Sequence, residues 1–228
     1  MFLKNIFHKF KVIRQAYFRK INKNYYSQFG EDKILSEFFD NSMTEGHYID
    51  VGCFHPVKHS NTYLLYKRGW RGINIDMETI KIDTFNIARP LDINILAAVS
   101  NDVKNVSVYK TQEYGVGSTL NKNQINKKNK IIDEFKIKTS TLNSIIENTI
   151  YKNKKIDLLN IDAEGHDYNV LLSIDLDKYV PKVIIIESHL KDISLIMKSK
   201  TYLHLISKNY TLRSWSLFSL FFVNNSRF

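Results

Sequence analysis

The stretches "NIDAEGHD" (160–167) and "IIIESH" (184–189) each run from apolar residues into acids and imidazoles. Asp162, Glu164, His166 and Asp167 close the first, and Glu187 and His189 close the second. Carboxylate and imidazole groups gathered at strand mouths can orient a hydroxyl and take its proton, which is general base chemistry. A second assignment is open: Asp162 and Glu187 could together hold Mg2+, which would acidify a bound hydroxyl. Only two ligands are fixed by the pattern, so the metal-free version is preferred and no residue is assigned to a metal. For Asp167 the plainer role is preferred, an acid that begins a helix and complements its dipole.

A second pair of acids has a different use. "YIDVG" (48–52) ends in Asp50 and Gly52, and "GINID" (72–76) ends in Asp76, followed by Met77. In an open α/β sheet ligands bind beyond the carboxyl ends of the strands; a glycine there lets backbone approach the ligand, and an acid on the next strand accepts bonds from ribose hydroxyls. Asp50 and Asp76 are therefore expected to frame a nucleoside. The turn between them reads Gly-Cys-Phe-His-Pro and lacks the glycine series that a pyrophosphate needs. A nucleoside carrying an amino-acid tail, S-adenosylmethionine, fits such a turn better than a dinucleotide. Asn61 and Thr62 either contact that cofactor or merely start the next helix. Cys53, the single cysteine, has no basic partner in the sequence and is expected to pack rather than react.

These residues need a scaffold that brings strand ends together. "YIDVG", "GINID", "INILAAVS" (93–100), "IDLLNID" (156–162) and "KVIIIES" (182–188) are short and nearly continuous in apolar residues, as strands covered on both faces should be. Helical spacing separates them in "SNTYLLYKRG" (60–69), "TSTLNSIIENTI" (139–150) and "HDYNVLLSI" (166–174), with Ser60 and Ser140 as caps and Gly69 as a stop. Alternation of this kind predicts an α/β fold with a mostly parallel, doubly wound sheet. "NYTLRSWSLFSLFFVN" (209–224) holds two strand-like runs too close for a helical crossover, so an antiparallel C-terminal edge is expected. "KNVSVYKT" (104–111) is a further strand candidate.

The chain has 228 residues and a formal charge of +10. The excess sits in an arm: residues 1–30 hold seven Lys or Arg and no acid, leaving 26 basic against 23 acidic residues elsewhere. Within residues 1–24, Leu3, Ile6, Phe7, Phe10, Ile13, Tyr17 and Ile21 make an apolar stripe on a cationic helix, suited to an anionic membrane surface or to packing on its own domain or a partner. Residues 25–228 are read as the single globular domain. Lys122, Lys127, Lys128 and Lys130 read as a solvated loop, and no specific nucleic-acid site is expected without interleaved aromatics. One cysteine, no apolar run of membrane length and no signal peptide point to the cytoplasm, with peripheral membrane contact through the arm as an option.

Five segments in order, "YYSQFGEDKIL" (25–35), "YIDVGCFHPVKHSNTYLLYKRGWRGINID" (48–76), "ILAAVSN" (95–101), "GVGSTL" (115–120) and "LLNIDAEGHDYNVL" (158–171), resemble the FkbM family of S-adenosylmethionine-dependent methyltransferases. The resemblance implies a class I methyltransferase (Rossmann-like) fold and O-methylation, often of sugars or polyketides. It implies that Gln28 and Glu31 stand at the cofactor rim. Pro56 occupies a position where many members carry a second glycine, which alters the grip of the turn rather than the cofactor. The expected acceptor is a sugar hydroxyl on a nucleotide-linked or lipid-linked intermediate. Two other classes remain as alternatives: an adaptor that binds membrane or nucleic acid without catalysis, and an NAD-dependent oxidoreductase, for which the glycine series is missing.

Overall fold

The computed structural model describes residues 25–112, 118–120, 125 and 130–227. The 1–24 arm, most of the Lys122–Lys130 loop and part of "GVGSTL" lie outside them. Helix α1 (Glu31–Phe38) precedes strand β1 (His47–Val51), and α2 (Tyr63–Lys67), β2 (Arg71–Asp76), α3 (Thr79–Ala88) and β3 (Ile93–Leu96) follow. A detour through β4 (Ala98–Val99), β5 (Asn105–Lys110), β6 (Asp133–Ser140) and α4 (Leu142–Glu147) leads back to β7 (Leu158–Ile161). Then come α5 (Asp167–Leu171), α6 (Leu176–Tyr179), β8 (Val183–Glu187), α7 (Ile193–Ile196), α8 (Lys200–Ser207), β9 (Tyr210–Ser216) and β10 (Ser219–Asn224).

Seven strands form one sheet in the order β3-β2-β1-β7-β8-β10-β9. β1 pairs in parallel with both β2 and β7, and β7 with β8, whereas β10 runs antiparallel to β8 and β9. The chain winds outward from β1 to β3, then restarts at β7 on the other side of β1. The strand order reverses at β1/β7, and a ligand crevice belongs beyond their carboxyl ends. Successive residues of β1 serve opposite faces: Tyr48 packs with Leu35, Leu65 and Trp70, while Ile49 packs with Ile73, Leu142 and Ile146. Both faces are covered, which is why these strands carry so few polar residues.

The structure corrects the sequence reading in three places. "INILAAVS" is two strands, because the chain breaks at Ala97, whose N–H donates to the Asp76 carbonyl, and β4 leaves the main sheet to pair with β6. β4, β5 and β6 form a separate three-stranded sheet that the sequence did not announce. Ser140 is a strand residue rather than a cap; Thr141 caps α4 by accepting from the Ser144 N–H at 3.1 Å. Ser60 is not the cap of α2 either: Thr62 holds that position, although Ser60 Oγ accepts from the Tyr63 N–H at 3.1 Å; Gly69 follows the helix end with φ +107°.

Candidate functional site

The turn after β1 is held without a glycine series. The Gly52 and Cys53 N–H groups donate to the Ile75 carbonyl at 2.9 and 3.1 Å. His55 Nδ1 accepts from the Val57 and Lys58 N–H groups, both at 3.0 Å. Arg89, fully buried, donates to the Pro56 carbonyl through Nε at 2.8 Å, and to Ser60 and Thr62 at 2.8 and 2.9 Å. Beneath the turn the Asp50 carboxylate accepts from Thr62 Oγ1 and Asn160 Nδ2, each at 2.8 Å, and Asn61 donates to Asn160 at 2.9 Å. Asp50, Asn61 and Thr62 thus form a web under the crevice instead of its wall. Their carboxylate, amide and hydroxyl groups shape the turn. Cys53 is buried against Ile82 and Phe85, and burial raises its thiol well above the usual range, consistent with packing.

A crevice partly open to solvent lies beyond the β1 and β7 ends. Gly52, Asp76 and Met77 line it, as do Asp162, Glu164 and His166 from the mouth of β7. Residues that sequence reasoning did not single out complete the wall: Phe54, Lys81, Ala97, Ala98, Val99 and Leu120. Only Lys81 carried a signal, a cation set among apolar positions of α3. Its ammonium pairs with Asp76 at 3.2 Å and Glu78 at 2.9 Å, and Lys110 from β5 also reaches Glu78 at 2.9 Å. Asp76 accepts from the Glu78 N–H at 2.8 Å. Burial pushes its carboxyl up to about 6 despite Lys81. Each Asp76 oxygen has one protein donor and retains lone-pair capacity for another.

At the other end of the crevice the acids converge. Asp162 and Glu187 extend the paired strands β7 and β8. Burial and the charges of Asp162, Asp167 and Glu164 push Glu187 up to about 9. Desolvation at the crevice floor and the charges of Glu164, Asp167 and Asp50 push Asp162 up to about 8. Asp162 is nevertheless exposed to the crevice, whereas the Glu187 side chain is only 14% exposed. Water therefore moderates the rise at Asp162 more than at Glu187, and of the two Glu187 holds its proton the more firmly. His166 is drawn down by burial and Lys104, so its ring is neutral, with Nε2 3.0 Å from Ser100 Oγ. His189 stands 63% exposed at the rim, 3.4 Å from Glu187. Asp167 accepts from the Ala163 and Gly165 N–H groups at 2.8 and 3.0 Å, which is the helix-start role.

The remaining rim residues divide. Gln28 is exposed. Glu31 is buried, accepting from the Phe29 N–H at 2.8 Å and Ser219 Oγ at 3.2 Å, and so ties the start of α1 to β10 beside Glu187. Among the described residues no three His, Cys, Asp or Glu side chains are grouped to hold a metal ion. Mg2+ between Asp162 and Glu187 therefore has no third ligand of those types. Nor is any described helix long and apolar enough to cross a membrane.

Numbered within the main sheet alone, the strands run 3-2-1-4-5-7-6 with the seventh antiparallel, and the crevice sits at the reversal; fold and site together are those of a class I methyltransferase. A model of the methyltransferase FkbM domain matches residues 50–203, more than half of the chain. The protein belongs to the FkbM family of S-adenosylmethionine-dependent methyltransferases. Among solved structures, a TehB-like SAM-dependent methyltransferase from Corynebacterium glutamicum aligns over 97% of this chain and 96% of that chain, at 12% identity and a TM-score of 0.43. No curated protein matches the chain in sequence.

The acids at the crevice mouth should also register in stability. Below its ordinary value of 4.5 Glu187 is protonated whether folded or unfolded; as pH rises from there toward 9, the folded state is increasingly penalised for holding it. Glu187→Gln is therefore expected to be more stable than the parent at pH 8 by about 1–3 kcal/mol, with the gap closing near pH 5. Urea unfolding at the two pH values measures it; an equal gap at both would remove the proton from Glu187.

Proposed function

We propose that the protein transfers a methyl group from S-adenosylmethionine to a saccharide hydroxyl on a nucleotide-linked or lipid-linked intermediate, with Asp162 as the base. The observation that supports it most is the convergence of Asp162, which lines the crevice, and Glu187 at paired strand ends. The donor, when bound, supplies an electrophilic methyl group on a cationic sulfonium. Asp162 orients the acceptor hydroxyl and takes its proton, and Glu187 remains protonated as a hydrogen-bond donor. His166, neutral and beside Asp162 in the wall, is the next proton acceptor. At the far end Asp76 receives ribose hydroxyls, while Met77, Ala97, Ala98 and Val99 offer an apolar slot for a purine. A methyltransfer screen of nucleotide sugars and saccharide intermediates with labelled donor tests the reading. Methylation of protein, RNA or a small phenol, with none on saccharides, would overturn it.

The cofactor assignment has its own consequence. Asp76→Ala removes two charge-assisted bonds to ribose, while Lys81 keeps Glu78 as partner, so S-adenosylhomocysteine should bind more weakly by about 1–3 kcal/mol without loss of fold. Calorimetry giving unchanged affinity would take Asp76 out of the site. For the 1–24 arm, seven cations without an acid over residues 1–30 support contact with anionic membrane. Binding to anionic liposomes should weaken with salt and vanish on deleting residues 1–24, with cofactor affinity retained. Indifference to liposomes at low salt would leave the arm to packing or to a partner.

A further inference from the structure

Beyond the crevice, the end of β8 and the tip of the β9/β10 hairpin form a second surface to which no ligand has been given. The Phe218 ring lies 5.3 Å from His189 and 5.8 Å from Phe29, centroid to centroid. Phe29 is 38% exposed, at the rim. The tip that carries Phe218 is pinned from three sides. The Ser188 N–H donates to the Phe218 carbonyl at 2.7 Å, Ser219 Oγ donates to Glu31 at 3.2 Å, and Trp215 Nε1 donates to the Leu217 carbonyl at 2.6 Å. Leu217 sits at the apex with φ +49° and is exposed, so the turn displays an apolar side chain from a backbone conformation that leucine rarely adopts. In register Ser219 faces Glu187, and so the aromatic surface adjoins the carboxyl directly.

Glu187 completes the pattern. Its Oε1 faces His189 at 3.4 Å, while its buried Oε2 has no hydrogen-bond partner among the described residues. A buried carboxyl oxygen without a partner is costly unless something else meets it. The surface thus offers an aromatic face with a carboxyl at its edge. An acceptor that satisfies both must have an apolar face and hydroxyls around its rim.

We propose that Phe218, His189 and Phe29 form the acceptor subsite and that it takes a pyranose ring, its C–H face on the aromatic cluster and a hydroxyl directed at Glu187. This rests on the saccharide reading above and gives it a location. A pyranose meets both demands because its axial C–H groups form one apolar face while each hydroxyl both donates and accepts. A lone aliphatic chain would use the rings and leave the carboxyl unmet. Pinning of the hairpin tip means that the surface is ordered before the acceptor arrives, which lowers the entropic cost of binding.

The test uses methyl pyranosides of several configurations, titrated into the full-length protein saturated with S-adenosylhomocysteine. Saturation-transfer NMR follows the sugar, and fluorescence of Trp215 follows the hairpin; Trp70 is fully buried and supplies a constant background. At least one pyranoside should bind, and Phe218→Ala and Phe218→Leu should each weaken it about tenfold, since leucine keeps apolar volume without the ring. S-adenosylhomocysteine affinity should stay within about twofold in both variants, which also shows that they fold. Failure of every pyranoside to bind, or binding indifferent to both substitutions, overturns the subsite. Phe218-dependent binding of a pyranoside, with no nucleotide sugar or saccharide intermediate methylated in the screen above, would sustain the subsite while defeating the reaction proposed above.

Discussion

Asp162→Ala is expected to lower kcat by about 10²–10⁴-fold while leaving S-adenosylhomocysteine affinity within a few-fold. The argument runs from position. Asp162 follows the last residue of β7, its N–H donates to the Val51 carbonyl at 2.9 Å, and its side chain is exposed to the crevice, where the acceptor hydroxyl must lie. Removing it deletes the proposed base without opening the core. Folding should not suffer, because burial and neighbouring acids make the ionised Asp162 carboxyl costly in the folded state, a cost that alanine removes. Single-turnover measurements with a saccharide acceptor separate chemistry from binding. Near-normal turnover in Asp162→Ala would move the chemistry elsewhere, with His166 the first group to test.

Gly52→Ala should do damage of another kind. A Cβ at Gly52 would stand 1.7 Å from the Asp162 carbonyl oxygen and 2.7 Å from its carbon, and the residue has φ +81°. Both obstacles are backbone at adjacent strand ends, so no rotamer change relieves them. The variant must separate β1 from β7 where the crevice begins. A loss of about 3 kcal/mol or more is expected in urea unfolding, with cofactor affinity reduced at least about tenfold. Parental stability together with parental affinity would show that the two strand ends can part at little cost.

Much of this was legible in the chain. Gly52, Asp76 and Asp162 could be placed at the crevice because each ends a run of apolar residues, and such runs mark buried parallel strands whose mouths open on it. The same signal misled at "INILAAVS", where one unbroken apolar run serves two sheets. Periodicity reports burial and says nothing about which partner provides it. β6 was missed because "DEFKIKTS" sits on an open three-stranded sheet and mixes charge with apolar residues. Asp50 was legible as a strand end but not as a residue facing away from the crevice, since its partners Thr62 and Asn160 lie 12 and 110 residues away. Lys81 stood out only as an odd cation in an apolar helix, its meaning depending on two acids before α3. Gln28 and Glu31 came from family resemblance alone.

The buried guanidinium of Arg89 bears on the order in which the molecule assembles. It lies 33 residues beyond Pro56, whose carbonyl it engages, and 27 beyond Thr62. A turn shaped by its own glycines could form as soon as its strand does. This one acquires its shape only when α2, β2 and α3 have been laid down and the end of α3 has docked under it. The shape of this turn therefore depends on closing a loop of that length, which contacts between the first two βα units must offset. Until then the polypeptide carries the residues of the site without the site.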